Sequence, residues 1–211
     1  MGERTALLHP EQLNIVEPEG RVCRGADQEW YRHKWQRLAG CGPTAAAVMT
    51  AYLSRTRGLT DLCPLEELAV PAFVDHMEAV WEHVTPGPHG LNRVPMFTDG
   101  LAAYAAGRGV ALTPRALEVP AQAPRPSLAR CVEFIRAGLA ADCPVAFLNL
   151  DNGEETRLDK WHWVLLTALE TEGEDVRCAI LDSGEEFDID LGLWYRTARD
   201  RGGFVCVPAE S

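Results

Sequence analysis

The sequence has no uninterrupted apolar run close to the ~18 residues that a membrane-spanning helix needs. The residues from Met1 to Pro10 also lack the charged region, apolar stretch and small-residue cleavage site of a secretory signal. We therefore expect a chain that neither enters a membrane nor is exported, with a cytoplasmic location.

Basic residues are scarce, since 20 Lys and Arg stand against 31 Asp and Glu and the formal net charge is −11. Proteins that bind nucleic acid gain most of their affinity from Lys and Arg side chains that neutralise phosphates. No basic run interrupts this acidic chain, so we expect no nucleic-acid partner.

Closely spaced cysteine pairs are also missing. The seven cysteines are an odd number, and their spacing matches neither a disulfide framework nor a zinc site; they are Cys23, Cys41, Cys63, Cys131, Cys143, Cys178 and Cys206. The carboxylates are scattered as well. We therefore expect a reduced protein without a metal or other cofactor, in which six of the seven thiols are buried and inert.

The pattern of apolar residues, Gly and Pro predicts helices first and strands afterwards, which is an α+β fold. The predicted helices cover about 43–57 (stopped by Gly58), 65–84 (interrupted by Pro71), 98–106 (stopped by Gly107), 128–141 (with Ser127 as N-cap) and 191–199. The predicted strands cover about 110–119, 143–150, 162–169, 176–181 and 203–207. The strands at 162–169 and 176–181 are expected to be antiparallel neighbours, because only a short polar segment joins them.

Cys41 stands in Leu38-Ala39-Gly40-Cys41-Gly42-Pro43-Thr44, at the start of an Ala-rich predicted helix. A helix N-terminus stabilises a thiolate through its unpaired N–H groups and its dipole, and the thiolate is the nucleophilic form of cysteine. Gly42 is expected to let the backbone bend sharply into the helix. Cys41 is thus the candidate nucleophile, and the alternative is a buried cysteine that happens to begin a helix.

A cysteine nucleophile needs a base, and histidine serves best near neutral pH. His162 opens an apolar strand between Trp161 and Trp163, where its ring can face a cleft. The alternative is a histidine whose ring is satisfied by the backbone at a strand end. The remaining histidines lie in the amino-terminal tail or in polar and loop contexts and are set aside; they are His9, His33, His76, His83 and His89.

Asp182 ends the strand that follows the His162 strand, and in an antiparallel hairpin the two positions lie side by side. Asp182 can therefore fix the imidazole tautomer, although Asp182-Ser183-Gly184 is equally typical of a plain turn. The oxyanion of an acyl-transfer intermediate needs hydrogen-bond donors, for which the Cys41 N–H and the Gln36 amide are candidates. Gln36 taken alone also fits a surface glutamine.

Together, Gln36, Cys41-Gly42-Pro43-Thr44, Trp161-His162-Trp163-Val164 and Asp182 resemble the papain-like cysteine peptidases, most closely their bacteriocin-processing-peptidase-like branch in bacteria. The resemblance covers about residues 30–207, and the interval from Gln36 to Cys41 is one residue shorter than is common in the family. It implies an N-terminal helical subdomain whose nucleophile helix packs on a C-terminal antiparallel β-sheet, with the active site between them. It also implies that Gln36 is the oxyanion donor, Cys41 the nucleophile, His162 the base and Asp182 its orienting residue.

On this reading, residues 1–29 form an N-terminal extension and residues 30–211 one catalytic domain, helical to about 126 and β-rich from about 127. The expected function is a cysteine peptidase or amide hydrolase that acts on a peptide or small amide through a thioester on Cys41. Two alternatives stay open: an acyl or peptidyl transferase with chemistry like that of phytochelatin synthase, and a non-catalytic binding module on the same fold. The region from Leu59 to Pro126 is expected to shape specificity, and the oligomeric state is open.

Overall fold

Six α-helices and nine β-strands form within residues 2–208, the part of the chain that the computed structural model describes. Residue 1 and residues 209–211, which belong to the expected extension and domain, lie outside the described residues. The helices are α1 (Lys34–Ala39), α2 (Cys41–Arg57), α3 (Val70–Trp81), α4 (Val94–Gly107), α5 (Leu128–Ala140) and α6 (Leu191–Thr197). The strands are β1 (Glu3–Ala6), β2 (Asn14–Val16), β3 (Val22–Arg24), β4 (Arg115–Val119), β5 (Val145–Asn149), β6 (His162–Glu172), β7 (Asp175–Asp182), β8 (Glu185–Asp190) and β9 (Gly202–Cys206).

Seven strands form one antiparallel sheet in the order β4-β9-β5-β6-β7-β8, and β1 also pairs with β6. Strand β6 is long enough to take two neighbours along one edge: β5 pairs with its first half and β1 with its second. Strands β2 and β3 form a separate hairpin. The expected α+β class is therefore confirmed, with an antiparallel sheet of mostly C-terminal strands.

The predicted ends of α2 and α5 agree with the structure. Helix α2 stops before Gly58, whose φ of 67° lies in the left-handed region that favours glycine. Helix α5 begins after Ser127, whose hydroxyl accepts a hydrogen bond from the Arg130 N–H.

Two other helices begin at a proline, contrary to the prediction. Pro71 does not interrupt a helix from residue 65 but lies in the first turn of α3, and α4 begins near Pro95, before the predicted start at Thr98. Proline fits these places because the first turn of a helix leaves its N–H groups without intrahelical acceptors.

The sheet also differs from the prediction at its edges. The acidic segment after Gly184 forms strand β8, in which Ile189 is buried and Glu186 accepts hydrogen bonds from Thr167 and Arg24. Strand β4 covers only the second half of the predicted strand over 110–119.

The residues before 30 pack into the core that the rest of the chain shares. Strand β1 extends the main sheet, and the Leu13 and Ile15 side chains are 1% exposed within the same apolar cluster as α2 and β6. The expected extension is therefore an integral part of the fold. No helix in residues 2–208 is both long and apolar enough to span a membrane.

Candidate functional site

Cys41 is the first residue of α2, with glycine on both sides. A Cβ on Gly40 would lie 2.3 Å from the Gln36 carbonyl oxygen, and a Cβ on Gly42 would lie 2.4 Å from Cδ2 of Leu91. The reason for Gly42 therefore differs from the sharp bend expected from the sequence: it lies inside the helix, where a neighbouring leucine leaves no room for a side chain. The two glycines let α2 begin in tight contact with its surroundings, and Cys41 stays partly exposed.

The β6–β7 hairpin brings His162 and Asp182 together. Leu165 pairs with Leu181, which places Asp182 opposite Val164 and diagonal to His162 on the same face of the sheet. Nε2 of His162 lies 2.8 Å from Oδ1 of Asp182, and the two side chains are only 14% and 15% exposed. The Ser183 hydroxyl donates to the same Oδ1 over 3.1 Å.

The surroundings of His162 favour its protonated form. Burial alone lowers the pKa of the ring, but hydrogen bonds to Asp182 and Cys41, together with their negative charges, outweigh it and raise the pKa to about 10. Because Asp182 occupies Nε2, Nδ1 is the nitrogen left to face the Cys41 thiol. The geometry therefore supports a protonated His162 ring that is held by Asp182 and lies next to the Cys41 sulfur.

Cys41, His162 and Asp182 line one small cavity between the start of α2 and the β6–β7 hairpin. Its volume is about 20 Å³, which is room for a group the size of one water molecule. Three of the four side chains predicted from the sequence are therefore in one place, as the hairpin argument requires.

Gln36, the fourth predicted residue, is not among the residues that line this cavity. Its side chain is buried in α1, where Oε1 accepts a hydrogen bond from the His33 N–H and Nε2 donates to the Glu78 carboxylate. These contacts cap the start of α1 and tie it to α3. The oxyanion role that the resemblance implies for Gln36 has no contact with Cys41 to support it.

Gln28 lines the cavity instead, from the 3₁₀ turn at Gln28–Trp30. Its Nε2 donates to the Arg37 carbonyl over 2.8 Å, and an amide nitrogen carries a second hydrogen that this bond does not use. Sequence reasoning missed Gln28 because the residue lies thirteen positions before Cys41 (41 − 28) and approaches it only through the fold. No local motif marks it.

The other six cysteines in the sequence are buried, in agreement with the expectation that they are inert. Burial raises the pKa of all six of these thiols, for example to about 11 for Cys131 and about 12 for Cys206. Cys41 is thus the partly exposed thiol of the chain.

His76, which was set aside in the sequence analysis, has a structural role beside helix α2. Its ring is buried, and Nε2 donates to the Ala47 carbonyl over 3.1 Å and lies 3.0 Å from the Thr50 hydroxyl, both on α2. Burial lowers its pKa to about 4, so the ring is neutral at physiological pH. His76 therefore anchors α2 to α3 without taking part in the cavity.

Among residues 2–208, no three His, Cys, Asp or Glu side chains are grouped closely enough to hold a metal ion. Comparisons of the chain with models of protein families, with curated proteins and with solved structures found no match. The chemistry of the site therefore rests on its own geometry.

Proposed function

We propose that this chain is a papain-like cysteine hydrolase that cleaves a peptide or amide bond with Cys41 as nucleophile. The observation that carries the proposal is the shared cavity of Cys41, His162 and Asp182, in which Asp182 holds the histidine at 2.8 Å. A helix that begins at the cysteine and packs on a sheet that carries the histidine and aspartate also agrees with the arrangement implied by the papain-like resemblance.

In the acylation step, the Cys41 thiolate attacks the carbonyl carbon and a carbon–sulfur bond forms while the carbonyl oxygen becomes an oxyanion. The intermediate collapses when the carbon–nitrogen bond breaks, and the leaving amine takes its proton from the His162 imidazolium. The products of this step are a thioester on Cys41 and a neutral His162.

In the deacylation step, neutral His162 takes a proton from water, and the resulting hydroxide attacks the thioester carbon. The carbon–sulfur bond then breaks, which releases a carboxylic acid and restores the thiolate and imidazolium. Asp182 keeps the ring oriented throughout, because its hydrogen bond to Nε2 leaves Nδ1 directed at the sulfur.

The oxyanion is assigned to the Cys41 N–H and the Gln28 side-chain amide. Cys41 begins α2, so its N–H is among those without an intrahelical acceptor. Gln28 borders the same cavity and has a second amide hydrogen that its bond to Arg37 does not use, whereas Gln36 is not among the residues that line the cavity.

The proposal is tested with a panel of peptide and amide substrates and the variants Cys41→Ala and Cys23→Ala. We expect Cys41→Ala to lose all turnover and Cys23→Ala, which changes a buried thiol away from the cavity, to keep it. Iodoacetamide should modify Cys41 first, because the other thiols are buried. A Cys41→Ala protein that cleaves the panel as well as the unaltered chain would falsify the assignment.

The oxyanion assignment is tested by a matched pair of glutamine variants. Gln28→Ala should lower kcat by about 100-fold, since the loss of one oxyanion donor typically costs ~10²–10³. Gln36→Ala should instead lower stability, because it removes the contacts to His33 and Glu78. If Gln36→Ala loses kcat in a well-folded protein while Gln28→Ala does not, the two roles are reversed.

A further inference from the structure

An open apolar groove lies on the outer side of Cys41. Most of the residues that line it are apolar, the polar side chains among them are those of His89 and Asn92, and the lining includes no Asp, Glu, Lys or Arg. The main ones are Trp35, Leu38, Leu91, Leu150 and Trp161. Its volume is about 300 Å³, at the lower end of the range of ~300–1,000 Å³ typical of small-molecule sites.

Cys41 is the one residue common to the linings of this groove and of the inner cavity. The inner cavity, at about 20 Å³, has room for an oxygen-sized group but not for a side chain. A substrate bound with its carbonyl carbon at the Cys41 sulfur must therefore place its bulk in the groove.

The apolar side chains of this groove are unusually exposed. Trp35 is 46% exposed, Leu38 73% and Trp161 54%, and together they are half of the six large apolar side chains that are exposed within residues 2–208. Scattered exposed apolar residues need no explanation, but a cluster of them beside a nucleophile is typical of a ligand-binding surface. The cluster therefore points to an apolar ligand.

Trp161 adds an independent observation, because its φ of 56° lies in the left-handed region that bulky side chains avoid. Such a conformation costs on the order of 1–3 kcal/mol and tends to occur at functional sites. The exposed Trp161 ring gains little burial in return. In this conformation the Trp161 indole lines the groove, and the next residue in the chain is His162, the proposed proton donor.

The position of His162 indicates where the acyl half and the leaving-amine half of the substrate lie. His162 lines the inner cavity and not the groove, so the nitrogen of the leaving amine must reach His162 to take its proton, while this small cavity itself has room only for the carbonyl oxygen. The acyl half then lies on the groove side of Cys41. Because the lining of the groove has no Asp, Glu, Lys or Arg, a charged acyl group would find no ion-pair partner of these types there to offset its lost hydration.

We infer that the groove binds the acyl half of the substrate, and that this half carries an apolar group of about the size of an aromatic ring. The inference rests on the proposed function, since it takes Cys41 as the nucleophile. The substrate class is thus peptides or amides with an aromatic or large aliphatic group next to the scissile carbonyl. The groove wall at Leu91 lies in the region 59–126 that was expected to shape specificity.

The test compares two chloromethyl ketones that alkylate Cys41, one with a phenylethyl group and one with a carboxyethyl group on the carbonyl. Each rate is divided by the rate with glutathione, which removes the intrinsic reactivity of the probe. We expect the phenylethyl probe to be favoured at least tenfold, which corresponds to about 1.4 kcal/mol. Trp161→Ala and Trp35→Ala should reduce the preference at least fivefold, and Leu8→Ala, at an exposed leucine outside the groove, should retain it.

Leu38→Gln provides a second test in case a tryptophan variant fails to fold, because Leu38 is 73% exposed and contributes little to the core. It too should weaken the preference for the phenylethyl probe. Equal normalised rates for the two probes, with Cys41 much faster than glutathione towards iodoacetamide, would overturn the inference and leave the proposed function intact. Iodoacetamide labelling of Cys41 no faster than that of glutathione would overturn both.

Discussion

Replacement of Asp182 by asparagine removes the charge that holds His162 while it preserves the size of the side chain. A hydrogen bond to a charged group contributes ~1.5–3 kcal/mol, and each pKa unit corresponds to ~1.36 kcal/mol. The 2.8 Å contact between Nε2 and Oδ1 is of this kind. In Asp182→Asn we therefore expect the pKa of His162, which is about 10 in the unaltered chain, to fall by about one to two pKa units.

The new amide also changes which ring nitrogen is protonated. A carboxylate only accepts at Nε2, whereas an amide can donate there and so transfer the proton of the neutral ring to Nδ1, the nitrogen next to Cys41. A ring in that tautomer cannot take the thiol proton. Alkylation of Cys41 should therefore slow most strongly above the lowered pKa of His162, where the neutral ring predominates.

The assay is an NMR titration of the His162 ring proton, assigned by its loss in His162→Gln, with iodoacetamide kinetics on the same samples. Asp175→Asn is the matched control, because Asp175 is exposed at the opposite end of β7. If His162 titrates at the same pH in Asp182→Asn and in the unaltered chain, then Asp182 does not raise the pKa of the His162 ring and the reasoning is wrong.

The raised pKa also predicts how stability depends on pH. The folded state holds the His162 proton more tightly than the unfolded state, whose pKa is near 6.5. The contribution of the His162 proton to the stability of the folded state is therefore complete below pH 6.5, and it is lost as the pH rises through about 10. Urea unfolding between pH 7 and 10 should show a smaller loss of stability in Asp182→Asn than in Asp175→Asn.

Three further predictions follow from packing and burial. Gly42→Ala should destabilise the fold by about 1–3 kcal/mol and slow alkylation of Cys41, because its Cβ overlaps Leu91; urea unfolding and labelling measure both effects. Below pH 6.5 the unfolded chain binds a proton at His76 that the buried ring of the folded state does not bind. The free energy of unfolding should therefore fall by about 3 kcal/mol as the pH drops from 6.5 to about 4, and His76→Gln should remove this pH dependence. Ser127→Ala should cost about 1 kcal/mol in urea unfolding, since the Arg130 N–H loses its acceptor; an unchanged midpoint would contradict the cap.

The features that were predictable from the sequence depend on short-range rules. Gly58 ends α2 because glycine tolerates a left-handed φ, and Ser127 begins α5 because its hydroxyl accepts a backbone hydrogen bond. The proximity of His162 and Asp182 follows from an antiparallel hairpin with a short connection. All three depend on residues close in sequence or on one strand pairing.

The features that escaped prediction depend on contacts between distant segments. Gln28 reaches the cavity from the 3₁₀ turn before α1, and nothing around it in the sequence shows which way its amide points. Gln36 is closer to Cys41 in sequence, yet Glu78 on α3 binds its amide. Pro71 illustrates a different difficulty, since a proline inside an apolar pattern fits both the interruption and the start of a helix.

The pairing of β1 with β6 has a consequence for shortened forms of the protein. Strand β1 covers the backbone of β6 from Ala168 to Thr171, on the edge that β5 leaves free. A chain that begins at residue 30 would expose these N–H and C=O groups as an open sheet edge, which invites pairing between molecules and aggregation. By pairing with β6, strand β1 therefore keeps one edge of the strand that carries His162 from pairing with other copies of the chain.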